Sequence, residues 1–361
     1  MKVLFLPKYP YQGASSRYRV YQYLPHLQAL GIDYQVSSFM SKTMYQTSFS
    51  HGRSLYKIWL TVLAIFRRLL VLRHWRDYDV IYMQREMFPG PLLWVERWLR
   101  WRGAKLVFDY DDALFIPKSS QFNPLAGWLK GAEKTLNIFR LSHCVVAGNN
   151  YLRDVAAQYG PEAITLEVAE DTHRIKQRPA YGDSAEFVIG WLGSSTTVKY
   201  LNYIADALLR IHARFPNVVF EVMGGDPAFA IDGLPIVHRP WSLDGELEVL
   251  ARFDVGLMPL PLEEWSKGKS GGKARTYMAA GVVPVCTAIG YNLELIQHGE
   301  TGFLCTDQEQ WYQTLVSLIE DRALCQRVSD AARSYVEAHF DVATQAAALG
   351  GILRSVAVKA E

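Results

Sequence analysis

The sequence has few cysteines, no long apolar run and little net charge. Its four cysteines form no CxxC pair, and no histidine stands at a zinc-finger interval, so neither a structural metal nor a disulfide framework is predicted. This pattern is typical of a reducing cytosol. No stretch reaches the ~18–20 uncharged apolar residues of a membrane span, and the nearest, residues 58–72, is interrupted by Arg67 and Arg68. The amino terminus, with Pro7 and Lys8 in its short apolar run, predicts a strand and not a signal peptide.

The net charge of +2 hides an uneven distribution over the 361 residues. Residues 1–180 contain 24 Lys and Arg against 14 Asp and Glu, a net charge of +10, whereas the remainder has 14 against 22, a net charge of −8. The length corresponds to two domains at ~100–200 residues each. Half of the residues are hydrophobic and 20% are charged, which excludes extensive disorder.

Short apolar runs alternate with helical patterns along the chain, which predicts α/β domains with doubly wound parallel sheets. The predicted strands are residues 2–6, 34–39, 80–83, 105–108, 144–147, 187–192, 218–223, 236–239, 255–259, 283–287 and 302–305. We expect one domain at 1–175, completed by a C-terminal helix at 343–361, and a second at 176–342. Ligands bind at the carboxyl ends of such strands, so a deep cleft between two facing domains is the expected site.

A loop with three glycines and three lysines, residues 267–273 (KGKSGGK), precedes a predicted helix. Backbone amides of Ser270, Gly271 and Gly272 at the helix start, with Lys269 and Lys273 beside them, would form an anion site. Glycine permits close approach of phosphate oxygens to the backbone. The alternative is a flexible basic loop with ordinary helix entry, and the loop alone does not distinguish the two.

The run KARTYMAAGVVPVCTAIGYNLELIQHGETGFL, which starts at Lys273, resembles the donor-binding segment of family-4 (group 1) retaining glycosyltransferases. MKVLFLPKYPYQGASSRYR resembles the first strand and glycine loop of these enzymes, and FVIGWLGSSTTVKYL resembles the first strand and phosphate turn of their donor domain. The resemblance implies the GT-B fold, with two Rossmann-like domains. It also implies transfer of a sugar from a nucleotide-diphospho-sugar to an acceptor hydroxyl, with retention and without a metal or other cofactor, in cell-surface polysaccharide or glycolipid synthesis.

The resemblance also implies a donor site built from both halves of the chain. Its expected residues are Gly13, Ser15, Arg17, Gly193, Ser194, Lys199, Pro240, Trp241, Lys269, Ser270, Gly271, Gly272, Lys273 and Thr276. The expected catalytic residues are Asp109, Asp111, Lys199, Lys269 and Glu294. For Glu294, a carboxylate placed at a helix start by the helix dipole is the alternative.

The sequence departs from the family at the ribose contact, where relatives carry two glutamates eight positions apart. The corresponding residues are Gly268 and Thr276. A neutral hydroxyl cannot form the charge-assisted bidentate contact of a carboxylate. A non-catalytic GT-B partner subunit is therefore an alternative function, and a nucleotide-sugar epimerase or hydrolase on the same fold is another.

An acidic cluster, Asp109, Asp111 and Asp112, follows a predicted central strand of the first half. With Arg85 and Glu86 after the preceding strand, Asp109 and Asp111 are expected on the acceptor side of the site. Two alternatives remain at this point. One is the Asp-x-Asp metal site of the other glycosyltransferase fold, which has a single sheet domain, and the other is helix or turn capping by Asp112.

Residues 53–105 carry eleven Lys and Arg against four acidic residues, a net charge of +7. Two helical patterns in this stretch combine Trp and Leu with Arg, which suits the interface of an anionic membrane. We therefore expect a cytoplasmic protein that associates peripherally with the inner face of the cytoplasmic membrane, with a glycan or a lipid-linked molecule as acceptor. The alternative is that the apolar stripes face a domain core. No nucleic-acid-binding module is recognisable, so nucleic acid is not an expected partner.

Overall fold

The computed structural model describes residues 1–48, 52, 54–116, 132–182, 184–243 and 245–358. The chain divides into two compact units. Unit 1 contains Met1–Ala169 and the C-terminal segment that starts at Val342, and unit 2 is Glu170–Asp341. The sequence placed the boundary between residues 175 and 176.

Unit 1 is built on a six-stranded parallel sheet with the strand order β2-β1-β3-β4-β5-β6. Its strands are β1 Lys2–Pro7, β2 Asp33–Val36, β3 Val80–Gln84, β4 Leu106–Tyr110, β5 Cys144–Ala147 and β6 Glu162–Thr165. The interior strands are buried on both faces, which explains why they are nearly continuous apolar runs. The edge strand β6 was not predicted, because its four residues, EAIT, are mostly half-exposed and form no apolar run.

The helices of unit 1 lie mainly in the connections between these strands. They are α1 Ala14–Arg19, α2 Leu24–Ala29, α3 Lys42–Ser48, α4 Ser54–Leu72, α5 Trp94–Trp101, α6 Ala132–Leu141, α7 Asn150–Ala157 and the C-terminal helix Val342–Val358. Residues 15–30 do not form a single helix, although their apolar residues recur at helical spacing. The segment divides into α1, a 3-10 turn at Tyr21–Tyr23 and α2. Pro25 lies in the first turn of α2, where its missing N–H needs no partner.

Unit 2 contains a second six-stranded parallel sheet with the order β12-β11-β10-β7-β8-β9. Its strands are β7 Phe187–Ser194, β8 Val218–Gly225, β9 Ile236–Arg239, β10 Val255–Met258, β11 Val283–Thr287 and β12 Phe303–Cys305. Its helices are α8 Ala205–Arg214, α9 Gly245–Leu250, α10 Glu264–Lys267, α11 Gly272–Ala279, α12 Asn292–Leu295, α13 Gln308–Glu320 and α14 Arg322–His339. Val342–Val358, the helix of unit 1 that ends the described chain, is α15.

Strand β7 shows why each sheet carries helices on both faces. Ile189 and Trp191 belong to one buried cluster, with residues of α8 and α13. Val188 and Leu192 belong to another, with residues of α11 and α14. Successive side chains of a strand point to opposite faces, so one apolar strand supports two helix layers. The predicted doubly wound α/β class is confirmed, and two separate sheets exclude the single-sheet fold of the Asp-x-Asp alternative.

Candidate functional site

In unit 2, the glycine loop ends at the first turn of α11. Gly271 is the N-cap residue and has a φ of 66°, in the left-handed region. A Cβ at this position would lie 2.9 Å from side-chain carbons of both Tyr291 and Leu295. Glycine is therefore required on two counts, and the contact places the loop against the turn that leads into α12.

Lys273 and Gly193 are in contact across 80 residues of sequence. A Cβ at Gly193 would lie 2.8 Å from Cε of Lys273, and the Lys273 ammonium lies 5.4 Å from the ring centroid of Trp191. On the other side of the loop, the Lys269 ammonium lies 3.7 Å from the ring centroid of Trp265. Both lysines thus rest near aromatic rings, which attract cations.

The carboxyl ends of β7, β8 and β9 meet beside Lys273. Gly224 has a φ of 80°, and a Cβ there would lie 2.1 Å from the carbonyl oxygen of Gly193 and 3.4 Å from Cβ of Trp241. Trp241 is partly exposed, and its indole nitrogen donates a hydrogen bond of 3.1 Å to Glu246. Pro240, the preceding residue, is exposed. The structure therefore brings Gly193, Trp241 and Lys273 together.

Other predicted donor residues lie on the same loops. Ser194 hydrogen-bonds the hydroxyls of Thr196 and Thr197 in the turn after β7. Lys199 is exposed in the 3-10 helix Val198–Ile204 that follows. The carbonyl oxygen of Ser270 accepts a hydrogen bond from the buried Arg275 guanidinium. Glu294 is exposed on α12, close to the glycine loop.

A buried carboxylate lies beside Thr276, although the helix itself supplies none. The Thr276 hydroxyl lies 2.9 Å from a carboxylate oxygen of Glu170 and 3.0 Å from the carbonyl oxygen of Gly272. Glu170 is 106 residues away in sequence and belongs to the first residues of unit 2. Sequence reasoning missed Glu170, because nothing in the local pattern pairs it with α11.

In unit 1, three strand ends bring polar side chains together. The Ser15 hydroxyl donates to Asp111 at 2.7 Å and accepts from the Gln84 amide at 2.9 Å. The Arg85 guanidinium donates to Asp111 at 3.2 Å and to Asp112 at 2.7 Å. Burial lowers the pKa of Arg85, but electrostatic interactions with Asp111, Tyr9, Asp112 and Glu86 outweigh it and hold that pKa well above its ordinary value.

Arg85 has a left-handed backbone with a φ of 63°, the one non-glycine residue with positive φ among the described residues. Such a conformation is uncommon outside glycine and is often found where a side chain is held for function. The neighbouring Glu86 forms an ion pair with Lys8. Burial raises the pKa of Glu86, but attraction and hydrogen bonding from Lys8 lower it to about 2. Both residues after β3 are thus ionised and fixed in place.

Asp109 has a different environment from Asp111. Its side chain is fully buried, and the Arg19 guanidinium donates to both carboxylate oxygens, with Nε at 3.0 and 3.2 Å. A group held in this way is not accessible to an acceptor. Asp109 is therefore not part of the proposed site, in contrast to the sequence-based expectation. Arg17, expected on the donor, is also buried and lies over the ring of Tyr18.

Gly13 precedes α1 at a point where the chain folds back on itself. Its amide donates to the carbonyl oxygen of Pro10 at 2.8 Å, and a Cβ at this position would lie 2.3 Å from Cβ of Tyr9. Glycine is thus required by close packing against Tyr9. The turn sets the start of α1 and hence the position of Ser15.

Among the described residues, no group of three or more His, Cys, Asp or Glu side chains is arranged to hold a metal ion. Within the same part of the chain, none of the helices combines the length and apolarity needed to cross a membrane.

A known family model matches most of the second unit. Residues 186–321 match the family model described as glycosyl transferases group 1. No curated protein matches the chain significantly.

Solved structures match nearly the whole chain. HepE of Anabaena, solved in complex with UDP-glucose, is 18% identical with a TM-score of 0.69, over 98% of this chain and 100% of that one. A glycosyltransferase from Rickettsia africae is 14% identical with a TM-score of 0.68 and 99% coverage of both chains. Sucrose-phosphate synthase from Thermosynechococcus elongatus is 14% identical with a TM-score of 0.66 and 98% coverage of both. The chain therefore has the GT-B fold, and residues 186–321 of its second unit form a domain that matches glycosyl transferases group 1.

Proposed function

We propose that the protein transfers a sugar from a nucleotide-diphospho-sugar to an acceptor hydroxyl, with retention of configuration. The observation that carries the proposal is the contact of Lys273 with Gly193, within the matched domain and at the carboxyl ends of its strands. HepE binds UDP-glucose, so UDP is the first nucleotide to test. The donor would lie on the Gly193 turn and the glycine loop, with Trp241 beside the base.

Charge develops on the departing diphosphate when the bond to the sugar breaks. Lys273, Lys269 and the exposed Lys199 would stabilise this charge, and fixed cations are effective there because they need little reorganisation in the transition state. Backbone amides at the start of α11 would add to the same field. Glu294, on the adjacent turn, would bind hydroxyls of the donor sugar.

The acceptor side would be formed by unit 1. Asp111 and Arg85 hold each other in fixed positions. Ser15, in the first turn of α1, donates to Asp111, and Glu86 follows Arg85 at the end of β3. Such groups can bind and orient a hydroxyl, which turns attack on the sugar into a unimolecular step. We propose a glycan or a lipid-linked molecule as the acceptor, with the protein acting at the cytoplasmic membrane surface.

Calorimetric titration of UDP tests the donor assignment. Lys269→Ala with Lys273→Ala should weaken binding by at least about 100-fold, since two charge-assisted contacts worth roughly 1.5–3 kcal/mol each are lost. Lys267→Ala is the matched control. This lysine belongs to the same loop but pairs with Glu264 at 2.8 Å, and its removal should leave the affinity unchanged. Wild-type affinity in the double variant would refute the phosphate assignment.

Product analysis separates the remaining functions. With a UDP-sugar and an acceptor, a transferase forms a glycoside and releases UDP. A hydrolase releases free sugar without an acceptor, and an epimerase changes the sugar without releasing nucleotide. A non-catalytic subunit gives none of these products. This function is an alternative because neither Gly268 nor Thr276 supplies a carboxylate.

A further inference from the structure

Helix α4 presents its apolar stripe to solvent. The exposed side chains are Leu55, Ile58, Trp59, Val62, Leu63, Phe66 and Leu70. They recur every three or four residues, so they share one face of the helix. Trp59 is 55% exposed and Phe66 is 60% exposed. The alternative in which this stripe faces a domain core is therefore wrong.

The opposite face of α4 is anchored by a charged residue. Arg68 is buried, and its guanidinium donates to the carbonyl oxygens of Pro7 at 3.1 Å, Ser37 at 2.7 Å and Met87 at 3.1 Å. These three bonds fix the rotation of the helix. The polar contact lies inward and the apolar stripe outward, the reverse of a surface helix in a water-soluble domain.

Helix α5 also exposes large aromatic side chains. Trp94, Trp98 and Trp101 are 62%, 43% and 77% exposed, whereas Val95 and Leu99 are buried. The ring of Trp98 meets that of Trp75, just after α4, edge to face with centroids 6.4 Å apart. This contact places α5 next to the segment that ends α4, and the exposed apolar side chains of the two helices are together called the tryptophan face. It consists of the exposed apolar residues of α4 together with Trp94, Trp98 and Trp101.

The surroundings of the tryptophan face are basic. Arg73, Arg76, Arg97, Arg100 and Arg102 are all exposed. The acidic residue of α5, Glu96, is buried, and burial raises its pKa. Exposed arginines beside exposed tryptophans match an anionic surface that has an apolar interior. A second copy of this chain would bring like charges together at the same place.

We propose that the tryptophan face docks the protein on the surface of an anionic phospholipid bilayer. The tryptophan rings would lie at the depth of the headgroups, the aliphatic stripe of α4 in the outer part of the acyl region, and the arginines against lipid phosphates. This inference rests on the membrane association named in the proposed function and identifies the surface that carries it, but it does not depend on the transfer reaction. It makes unit 1, the proposed acceptor side, the half of the chain that meets the membrane.

Sedimentation with sucrose-loaded vesicles tests the proposal in the absence of any nucleotide or acceptor. The full chain should bind vesicles of phosphatidylglycerol and phosphatidylcholine, and bind much less to phosphatidylcholine alone. Arg97→Glu with Arg102→Glu should weaken binding, by roughly five-fold or more for each charge altered. High salt should weaken the wild type in the same direction.

Trp94→Ser with Trp101→Ser, and separately Ile58→Gln with Phe66→Gln, should each reduce binding at least ten-fold without loss of thermal stability, since all four side chains are exposed. The matched control is Leu262→Ser with Val358→Ser, two exposed apolar residues that belong to neither α4 nor α5, which should bind like the wild type. Equal binding by all variants would overturn the proposal. So would a dimer in sedimentation equilibrium that the tryptophan variant abolishes, because a second copy would then cover the face.

Discussion

Two aspartates near the end of β4, Asp109 and Asp111, are two residues apart in sequence and have different environments. Asp111 is held at a strand end by Ser15 and Arg85, where a ligand can reach it. Asp109 is enclosed with Arg19 inside unit 1. The sequence motif presents them as equivalent acidic residues. Their separation depends on Arg19, which lies 90 residues earlier.

We predict that Arg19→Met destabilises the protein by about 3–5 kcal/mol, because it leaves the Asp109 carboxylate buried without its cation. Urea unfolding measures this loss. Arg19→Met with Asp109→Leu should be less destabilised than Arg19→Met alone, since no uncompensated charge remains. A variant Asp109→Asn with unchanged stability and abolished turnover would instead assign Asp109 to catalysis.

The Lys8–Glu86 pair predicts an acid-dependent loss of stability. The pKa of Glu86 falls from its usual 4.5 to about 2 on folding. The contribution of the pair is therefore complete above about pH 4.5 and is lost as the pH falls through about 2. Lys8→Met should cost about 1–3 kcal/mol at pH 7 and less at pH 3. Urea unfolding of both proteins at these pH values is the measurement, and a difference that does not change with pH would contradict the prediction.

At the level of elements, α11 illustrates how a glycine loop is built. Its sequence places two adjacent glycines, Gly271 and Gly272, at the helix start, and the structure gives them unequal constraints. Gly271 has positive φ and touches Tyr291 and Leu295. At Gly272, a Cβ would have no atom within 4 Å.

We predict that Gly271→Ala destabilises the protein by about 1–3 kcal/mol, from backbone strain and from contact with Tyr291 and Leu295. It should also weaken UDP binding, since the loop would have to move. Gly272→Ala is the matched control for stability, since a Cβ there would meet no atom of the protein within 4 Å. Thermal unfolding of the two variants gives the comparison, and equal losses of stability in both would show that the left-handed position is not the determinant.

Helix α4 shows the limit of periodicity. Its repeat correctly predicts a helix with one apolar stripe, but periodicity has no information about which side meets solvent. Three carbonyl oxygens that lie far apart in sequence accept hydrogen bonds from Arg68, and these bonds decide the orientation of the helix. The usual expectation, apolar face inward, fails because a buried guanidinium with three acceptors stabilises the opposite rotation.

At the scale of the molecule, unit 1 depends on a segment that follows unit 2 in sequence. Leu349, Leu353 and Val356 of α15 are fully buried in the same cluster as Val3 and Phe5 of β1. The core of unit 1 is therefore complete only when the last helix has been added.

A chain that ends at Asp341 should lose the folded state of unit 1 and keep that of unit 2. Three fully buried aliphatic side chains contribute about 1.5–3 kcal/mol each, which is comparable to the total stability of a domain at about 5–15 kcal/mol. Hydrogen exchange read by mass spectrometry should show lost protection in β1–β5 and retained protection in β7–β11. Retained protection in both units would contradict this dependence.

The sequence by itself determined the alternation of strands and helices, the doubly wound α/β class, eleven of the twelve strands found among the described residues, and the glycine loop. Each of these follows from local chemistry: the period of side chains along the backbone, the conformational freedom of glycine, and the fixed φ of proline. Only the tertiary structure decided that Asp109 forms a buried ion pair with Arg19, that Glu170 lies beside Thr276, and that the apolar stripe of α4 faces solvent. In each of these cases the partner lies far away in sequence. Such pairings depend on strand register and packing, which no local pattern encodes.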